Sequence, residues 1–411
     1  MARVLLGARR LGRGLVAAVV LTGGLALPAV AAVPVGDTNS ASPCNRLCLA
    51  GQLRGDLRVY LKAHARDEHI SAAGLSVRLP RTGRTIDVGA GTMRIGGTAP
   101  VRSTNVWQIG SNTKAFTSIM MLQLEAAHRL SLTDTLGKWL PQYRRWRNVT
   151  IERLLHMTSG IPTYDTTVAF ARAFTKHPHR TITKRQLVAY AMTGTPTHGY
   201  SYSNTNYILA EMIIEKVTHD SYRHQLLIRF IRPLRLLNLY YRPARYPATV
   251  TRRESAGYFF DRQPPLPGFP RLIGHDVSRT TMSWTRGAGG IISTTHDMTV
   301  WEQALYHGRL LPRKQQTELQ SLVSFKTGKP IKHTTLNDPL GFGLGIAQQT
   351  NPEVGRVWFY EGGTFAFRTL HIFLPKSGVI IAIGLNSDPT VDHINNLVVA
   401  VHDTLAAHGI V

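Results

Sequence analysis

Strand-forming runs lie at the two ends of this chain, and the long stretch between them reads as helix and loop. Gly74 to Leu79 and Arg84 to Ala90 flank the turn Pro80 to Gly83, which is a hairpin signal. Near the other end, Val357 to Glu361, Phe367 to Leu374 and Val379 to Leu385 are β-type, and Pro375 to Gly378 joins the last two. Each end also carries an amphipathic helix. Leu49, Leu53, Leu57, Tyr60 and Leu61 mark one between Asn45 and His69, and Ile394, Leu397, Val398, Val401 and Leu405 mark another over Val391 to His408. Strands so far apart in sequence bury a common face only if the ends of the chain come together. The pattern predicts an α/β (α+β) fold: a five-stranded antiparallel sheet flanked by terminal helices, with a mostly helical domain inserted between its halves. The expected boundaries are 45–135 and 285–411 for the sheet domain and 136–284 for the helical domain.

The first residues belong to neither. Arg3, Arg9, Arg10 and Arg13 precede an apolar run from Leu15 to Val30 that closes on Ala29-Val30-Ala31. A charged region, an apolar region and small residues in that order predict a signal peptide over 1–31, and hence a periplasmic or extracellular protein. Residues 32–44 are small and rich in Pro and Ser, a disordered lead-in. No later stretch is apolar for long enough to span a membrane. In an exported chain the two cysteines, Cys44 and Cys48, are candidates for a close disulfide, which the sequence leaves open. They do not make a metal site, and no cofactor is expected. The net charge of +24 favours anionic partners. Export argues against nucleic acid, which leaves acidic lipid headgroups or acidic wall polymers, and an anionic cell-envelope polymer is a candidate partner besides substrate. Arginines thicken between Arg223 and Arg253, where the simpler reading is a solvated basic face.

Chemistry enters at Trp107-Gln-Ile-Gly-Ser-Asn-Thr-Lys114. Ser111 opens a helical pattern that runs to about Ala127, and Ile119, Met120, Met121, Leu122 and Leu124 make it apolar nearly all round, so the helix is buried. Ser111 and Lys114 are three apart and share a helix face. The amine can reach the hydroxyl, and a serine needs such a base to become a nucleophile. Ser111 also stands at the helix N-terminus, where backbone N–H groups favour developing negative charge.

Two further stretches offer partners. In Gly199-Tyr-Ser-Tyr-Ser-Asn-Thr-Asn206, Tyr202 and Asn204 face the same side if the loop is extended. A phenol beside an ammonium can have its pKa lowered and accept a proton; an ordinary helix cap is the alternative for this loop. In Trp358-Phe-Tyr-Glu-Gly-Gly-Thr364, a strand runs into Gly362-Gly363, where a substrate can approach the backbone and an N–H can join that of Ser111 in an oxyanion hole.

Together these motifs resemble the serine β-lactamase-related family, in particular the class C β-lactamase and D-alanyl-D-alanine carboxypeptidase branch with its esterases. The resemblance rests on Ser111-Asn-Thr-Lys114, Tyr202-Ser-Asn204 and the third motif Tyr360-Glu-Gly362, with flanking segments such as Val149 to Gly160, Ala288 to Thr294 and Gly341 to Gly345 in the same order. It implies that Ser111 is acylated, that Lys114 and Tyr202 move the proton, and that Asn204 holds Lys114 or the substrate amide. It implies an oxyanion hole from the N–H groups of Ser111 and Gly363, with Tyr360 and Gly362 beside the substrate. In this family the third motif usually opens with Lys or His, and Tyr360 departs from that, which weakens a carboxylate-gripping reading. Arg356 or Arg368 are the candidates to replace the cation, and the simpler reading makes both exposed strand residues. His156 is expected to support the fold, and His177 and His179 to lie on the surface. The sequence thus predicts an exported serine hydrolase acting on an ester or amide, with D-Ala-D-Ala peptides and β-lactams among the candidates. The alternative is a catalytically weak envelope-binding scaffold on the same fold.

Overall fold

The computed structural model describes residues 46–80, 82–261 and 267–411. The predicted signal peptide, the lead-in and Cys44 lie outside them; Cys48 is disulfide-bonded. Helix α1 (Arg46–His64) leads into strands β1 (Ala72–Arg78) and β2 (Thr85–Gly91), and then into helix α2 (Thr113–Ala126). A region of short helices and turns follows, whose longest helix is α3 (Asn204–Thr218). Helix α4 (Thr295–Tyr306) returns the chain to the sheet. The remaining strands are β3 (Leu322–Ser324), β4 (Pro330–Ile331), β5 (Leu340–Phe342), β6 (Ala347–Asn351), β7 (Gly355–Gly363), β8 (Arg368–Leu374) and β9 (Val379–Leu385), closed by α5 (Ile394–Ala407).

The sheet has nine strands in the order β2-β1-β9-β8-β7-β6-β5-β3-β4, every neighbour antiparallel, not the five expected. The extra four, β3 to β6, are two to five residues long, and Ala347–Asn351 reads Ala-Gln-Gln-Thr-Asn, so neither length nor apolar alternation marks them as strands. The two ends of the chain do join: β1 pairs with β9, from Ala73 opposite Leu385 to Arg78 opposite Ile380. Every residue of β9 is buried, because helices cover both faces of the central strands. Helix α1 lies on β1 and β2 beside α5, and α4 packs across β1, β8 and β9.

One contact connects this sheet to the serine segment. Gly74 of β1 and Gly384 of β9 are register partners, and together they leave the sheet bare at one spot. The Trp107 indole lies flat there: a Cβ on Gly384 would sit 2.5 Å from its Cδ2, and one on Gly74 2.8 Å from its Cζ2. Real carbon atoms do not approach so closely, so any side chain at either glycine must move Trp107. Gly384→Ala is expected to cost about 1–3 kcal/mol as an overpacked core. Gly51→Ala, on the exposed side of α1 with open space around it, is expected instead to add about 0.5–1 kcal/mol. Urea denaturation of the two variants checks both signs.

Candidate active site

Four residues after Trp107, Ser111 sits in a single 3₁₀ turn, Gly110–Asn112, that runs straight into α2. The turn needs two glycines on opposite sides. Gly110 has φ +50, and a Cβ on it would lie 2.7 Å from Gly363 N. A Cβ on Gly362 would lie 1.9 Å from Ile109 O and 2.8 Å from Ser111 N. The end of β7 is therefore pressed against the serine turn, backbone on backbone, which puts the Ser111 and Gly363 segments side by side.

Helix α2 is buried along nearly its whole length, so Lys114 has no route to water. Its Nζ donates to Ser111 Oγ at 2.9 Å, to Asn204 Oδ1 at 2.7 Å and to the Ala288 carbonyl at 2.7 Å, which uses all three ammonium donors. The amine also lies 4.8 Å from the centre of the Tyr202 ring and 5.5 Å from that of Tyr207. Burial pushes the Lys114 pKa well below the usual lysine value, against the opposing pull of the Asp165 charge. The lowered pKa makes this amine easier to deprotonate than an ordinary lysine, as a proton acceptor requires.

Tyr202 and Asn204 do reach the same side. Ser203 between them is extended (φ −143, ψ 112) at the start of α3. Tyr202 Oη meets Ser111 Oγ at 2.5 Å while Asn204 meets Lys114. The segment around Met157 pins the loop: Ser201 N donates to the Met157 carbonyl, and Asn206 Nδ2 to the Leu154 carbonyl. The Tyr202 pKa moves up, not down as expected. Burial dominates, outweighing the hydrogen bond to Ser111 and the neighbouring Tyr360, and Asp165 and Glu361 add negative charge nearby. Tyr202 is a neutral phenol suited to relaying a proton, not a phenolate.

Asp165 was not singled out in the sequence. Its Oδ2 accepts from Asn204 Nδ2 at 2.8 Å, which turns Asn204 Oδ1 towards Lys114, and its other oxygen accepts from Thr163. It lies in Ile161-Pro-Thr-Tyr-Asp165, a loop whose composition looks like any surface turn, so only the fold reveals it.

The third motif carries no cation. Tyr360 is 1% exposed, and its Oη, like that of Tyr200, is buried without a hydrogen bond of good geometry. The Tyr200 ring stacks on Phe325, and Phe342 lies between it and Tyr360. Neither arginine replaces the missing charge. Arg368 is opposite Gly363 in the register, but strand alternation sends its side chain to the other face, where it pairs with Glu68 at 2.7 Å and with Asp392. It is 1% exposed, which corrects the expectation of an exposed strand residue. Arg356 is exposed at the far end of β7, about 20 Å from Gly362 along the strand. His156 bonds the Ser321 carbonyl and ties the helical region to the start of β3, while His179 is exposed. Among the described residues the cluster His64, Glu68 and His393 has metal-ligand chemistry, but Glu68 is already held by Tyr60, Arg368 and the His393 N–H.

The Asp165 carboxyl is pushed up to about 6 by burial, from an ordinary value of 3.8. Between those values the folded chain holds a proton that the unfolded chain has lost, so stability falls as pH rises from about 4 to about 6. The drop from this one group is about 3 kcal/mol. Subtracting the pH profile of unfolding free energy of Asp165→Asn from that of the wild type is expected to isolate this step; superimposable profiles would refute it.

The fold has counterparts among known proteins. The chain is 25% identical over 280 residues to penicillin-binding protein 4* of Bacillus subtilis (strain 168), covering 66% of this chain and 59% of that protein. It spans roughly three-fifths of the length of the curated relatives it matches. Among solved structures, a D-stereospecific amidohydrolase from Streptomyces sp. superposes with a TM-score of 0.69 at 28% identity, over 86% of this chain and 97% of that one. D-amino acid amidase from Ochrobactrum anthropi SV3 shares the fold, with a TM-score of 0.73 at 21% identity over 87% and 99% of the two chains. The Beta-lactamase family model matches residues 62–403, most of the chain's length, and the protein belongs to that family.

Proposed function

We propose that the protein is a serine hydrolase that works through an acyl-enzyme on amides or esters lacking a free carboxylate at the recognition end. The observation that carries this reading is the buried Lys114 amine, held 2.9 Å from Ser111 Oγ with Tyr202 Oη 2.5 Å away on the same oxygen. Ser111 Oγ forms a bond to the acyl carbon and gives its proton to Lys114. Tyr202 passes a proton to the departing nitrogen or oxygen as the bond to the leaving group breaks. The N–H groups of Ser111 and Gly363 hold the oxyanion. Water then attacks the ester in the reverse sense and frees Ser111. Asn204, oriented by Asp165, keeps the lysine aimed and has an amide to offer the substrate.

Substrate choice rests on Tyr360 and Glu361. A neutral phenol stands where a cation would grip a carboxylate, and the Glu361 charge is felt at Tyr202. An anionic substrate end meets repulsion here, and a neutral amide does not. The similarity to a D-stereospecific amidohydrolase supports an amide substrate. Arg3, Arg9, Arg10 and Arg13, the apolar run after them and Ala29-Val30-Ala31 support export, with the site working in the periplasm or outside the cell.

Hydrolysis of D-phenylalanine amide and a p-nitrophenyl ester is expected to exceed that of a D-Ala-D-Ala peptide and a chromogenic cephalosporin. Efficient cleavage of the peptide would overturn the substrate reading. A fluorophosphonate is expected to label Ser111, and Ser111→Ala to abolish turnover. Lys114→Ala is expected to lower kcat by about 10³-fold or more, since base and nucleophile act as a unit. Folded protein that neither takes the label nor hydrolyses any of the four would favour the scaffold reading.

A further inference from the structure

Residues 221–253 contain eight arginines and no aspartate or glutamate. Arg223, Arg232, Arg235, Arg242, Arg245 and Arg252 are exposed, and Arg229 and Arg253 are half-buried. The half-buried pair binds neutral groups: Arg229 holds Gln225 and Gln123, and Arg253 holds the Thr104 carbonyl and Asn238. Among the described residues, none of the carboxylates that border the segment forms an ion pair with these arginines. Asp220 pairs with His224, Glu215 with Lys184, and Glu254 with Arg279, while Asp297 accepts from Asn238 N. Arg129 crowds Arg229 from α2's side and lowers its pKa further than burial alone does. The positive charge of this face is thus left to solvent.

Charge is not its only feature. Leu237 is 78% exposed and Ile228 38% exposed. Leu237 is not on a frayed loop. The helix Arg232–Leu234 ends at Arg235 in the left-handed region (φ 53), with Leu236 N donating to the Ile231 carbonyl. Leu236 turns inward and is fully buried, Asn238 N is held by Asp297, and Tyr240 Oη donates to the Leu237 carbonyl. The turn is fixed on both sides and presents a leucine to water between Arg235 and Arg253.

We propose that this face docks the protein on an anionic lipid bilayer, with the arginines at the headgroups and Leu237 in the interface. A polyanionic polymer rewards the arginines alone. A lipid interface also removes an apolar side chain from water, so the rigidly presented Leu237 favours lipid. Neither these arginines nor Leu237 is among the hydrogen-bond partners of Ser111, Lys114 and Tyr202, and the proposal stands whatever the substrate.

Co-sedimentation with phosphatidylglycerol-containing vesicles tests it, with phosphatidylcholine vesicles and soluble polyglutamate as comparisons. The protein is expected to bind the anionic vesicles only, and to be released by raising the salt from 0.1 to about 0.5 M. Arg232→Gln with Arg235→Gln is expected to weaken binding about 25-fold, at about fivefold per arginine. Leu237→Ser leaves the charge unchanged and is expected to weaken binding about tenfold. Circular dichroism and thermal midpoints confirm that the variants fold. No binding to the anionic vesicles overturns the proposal. So does binding to vesicles and polyglutamate alike that ignores Leu237→Ser, which would assign the face to an anionic polymer.

Discussion

The structure depends on keeping one amine out of water. A buried ammonium is costly, by several kcal/mol even after relaxation, and Lys114 has no carboxylate in contact. What it has is three oxygen acceptors from three places in the chain: its own helix, the start of α3, and the Ala288 loop. No segment alone satisfies it, so the helical region and the sheet must close on α2 before the lysine is tolerable. The same shortage of opposite charge keeps the amine reactive. Had Asp165 touched Lys114 directly, the ammonium would have been stabilised; by acting through Asn204, the carboxylate orients the amine and adds only a distant pull.

The serine turn has a second support, built from neutral groups. Asn112 donates to the Ile109 carbonyl and to Thr369 Oγ1, and its Oδ1 meets His371 Nδ1 at 2.6 Å. On the other side of the ring, His371 Nε2 lies 3.0 Å from Tyr306 Oη and 3.2 Å from Glu302. Burial pushes His371 down to about 3, so its imidazole is uncharged at neutral pH, and the same burial raises the Glu302 carboxyl well above its usual range. The strut runs from the turn through the sheet to α4.

Much of this was legible in the sequence where local spacing and chemistry coincide. Ser111 and Lys114 needed only a helix, and Tyr202 and Asn204 only one extended residue between them. The three apolar strands of the C-terminal part stood out because both their faces are buried. The four short strands β3 to β6 did not, because what holds them is pairing to a neighbour and not their own length or pattern. Asp165 and Arg368 were hidden for a related reason. Each is a charged residue whose partners come from distant parts of the chain, 39 residues away for Asn204 and 300 for Glu68.

The Trp107 seat on Gly74 and Gly384 has a consequence for how such a protein diverges. The nucleophile's height above the sheet is referenced to bare main chain, whose position hardly varies, and not to a mosaic of side chains that drift. The walls beside it, Tyr200, Tyr360 and the loops behind them, are carried on other segments. A lineage can therefore retool what it recognises while the attacking oxygen stays on the same datum, and a designer who wants a new specificity should vary the walls and leave the two glycines and the indole alone.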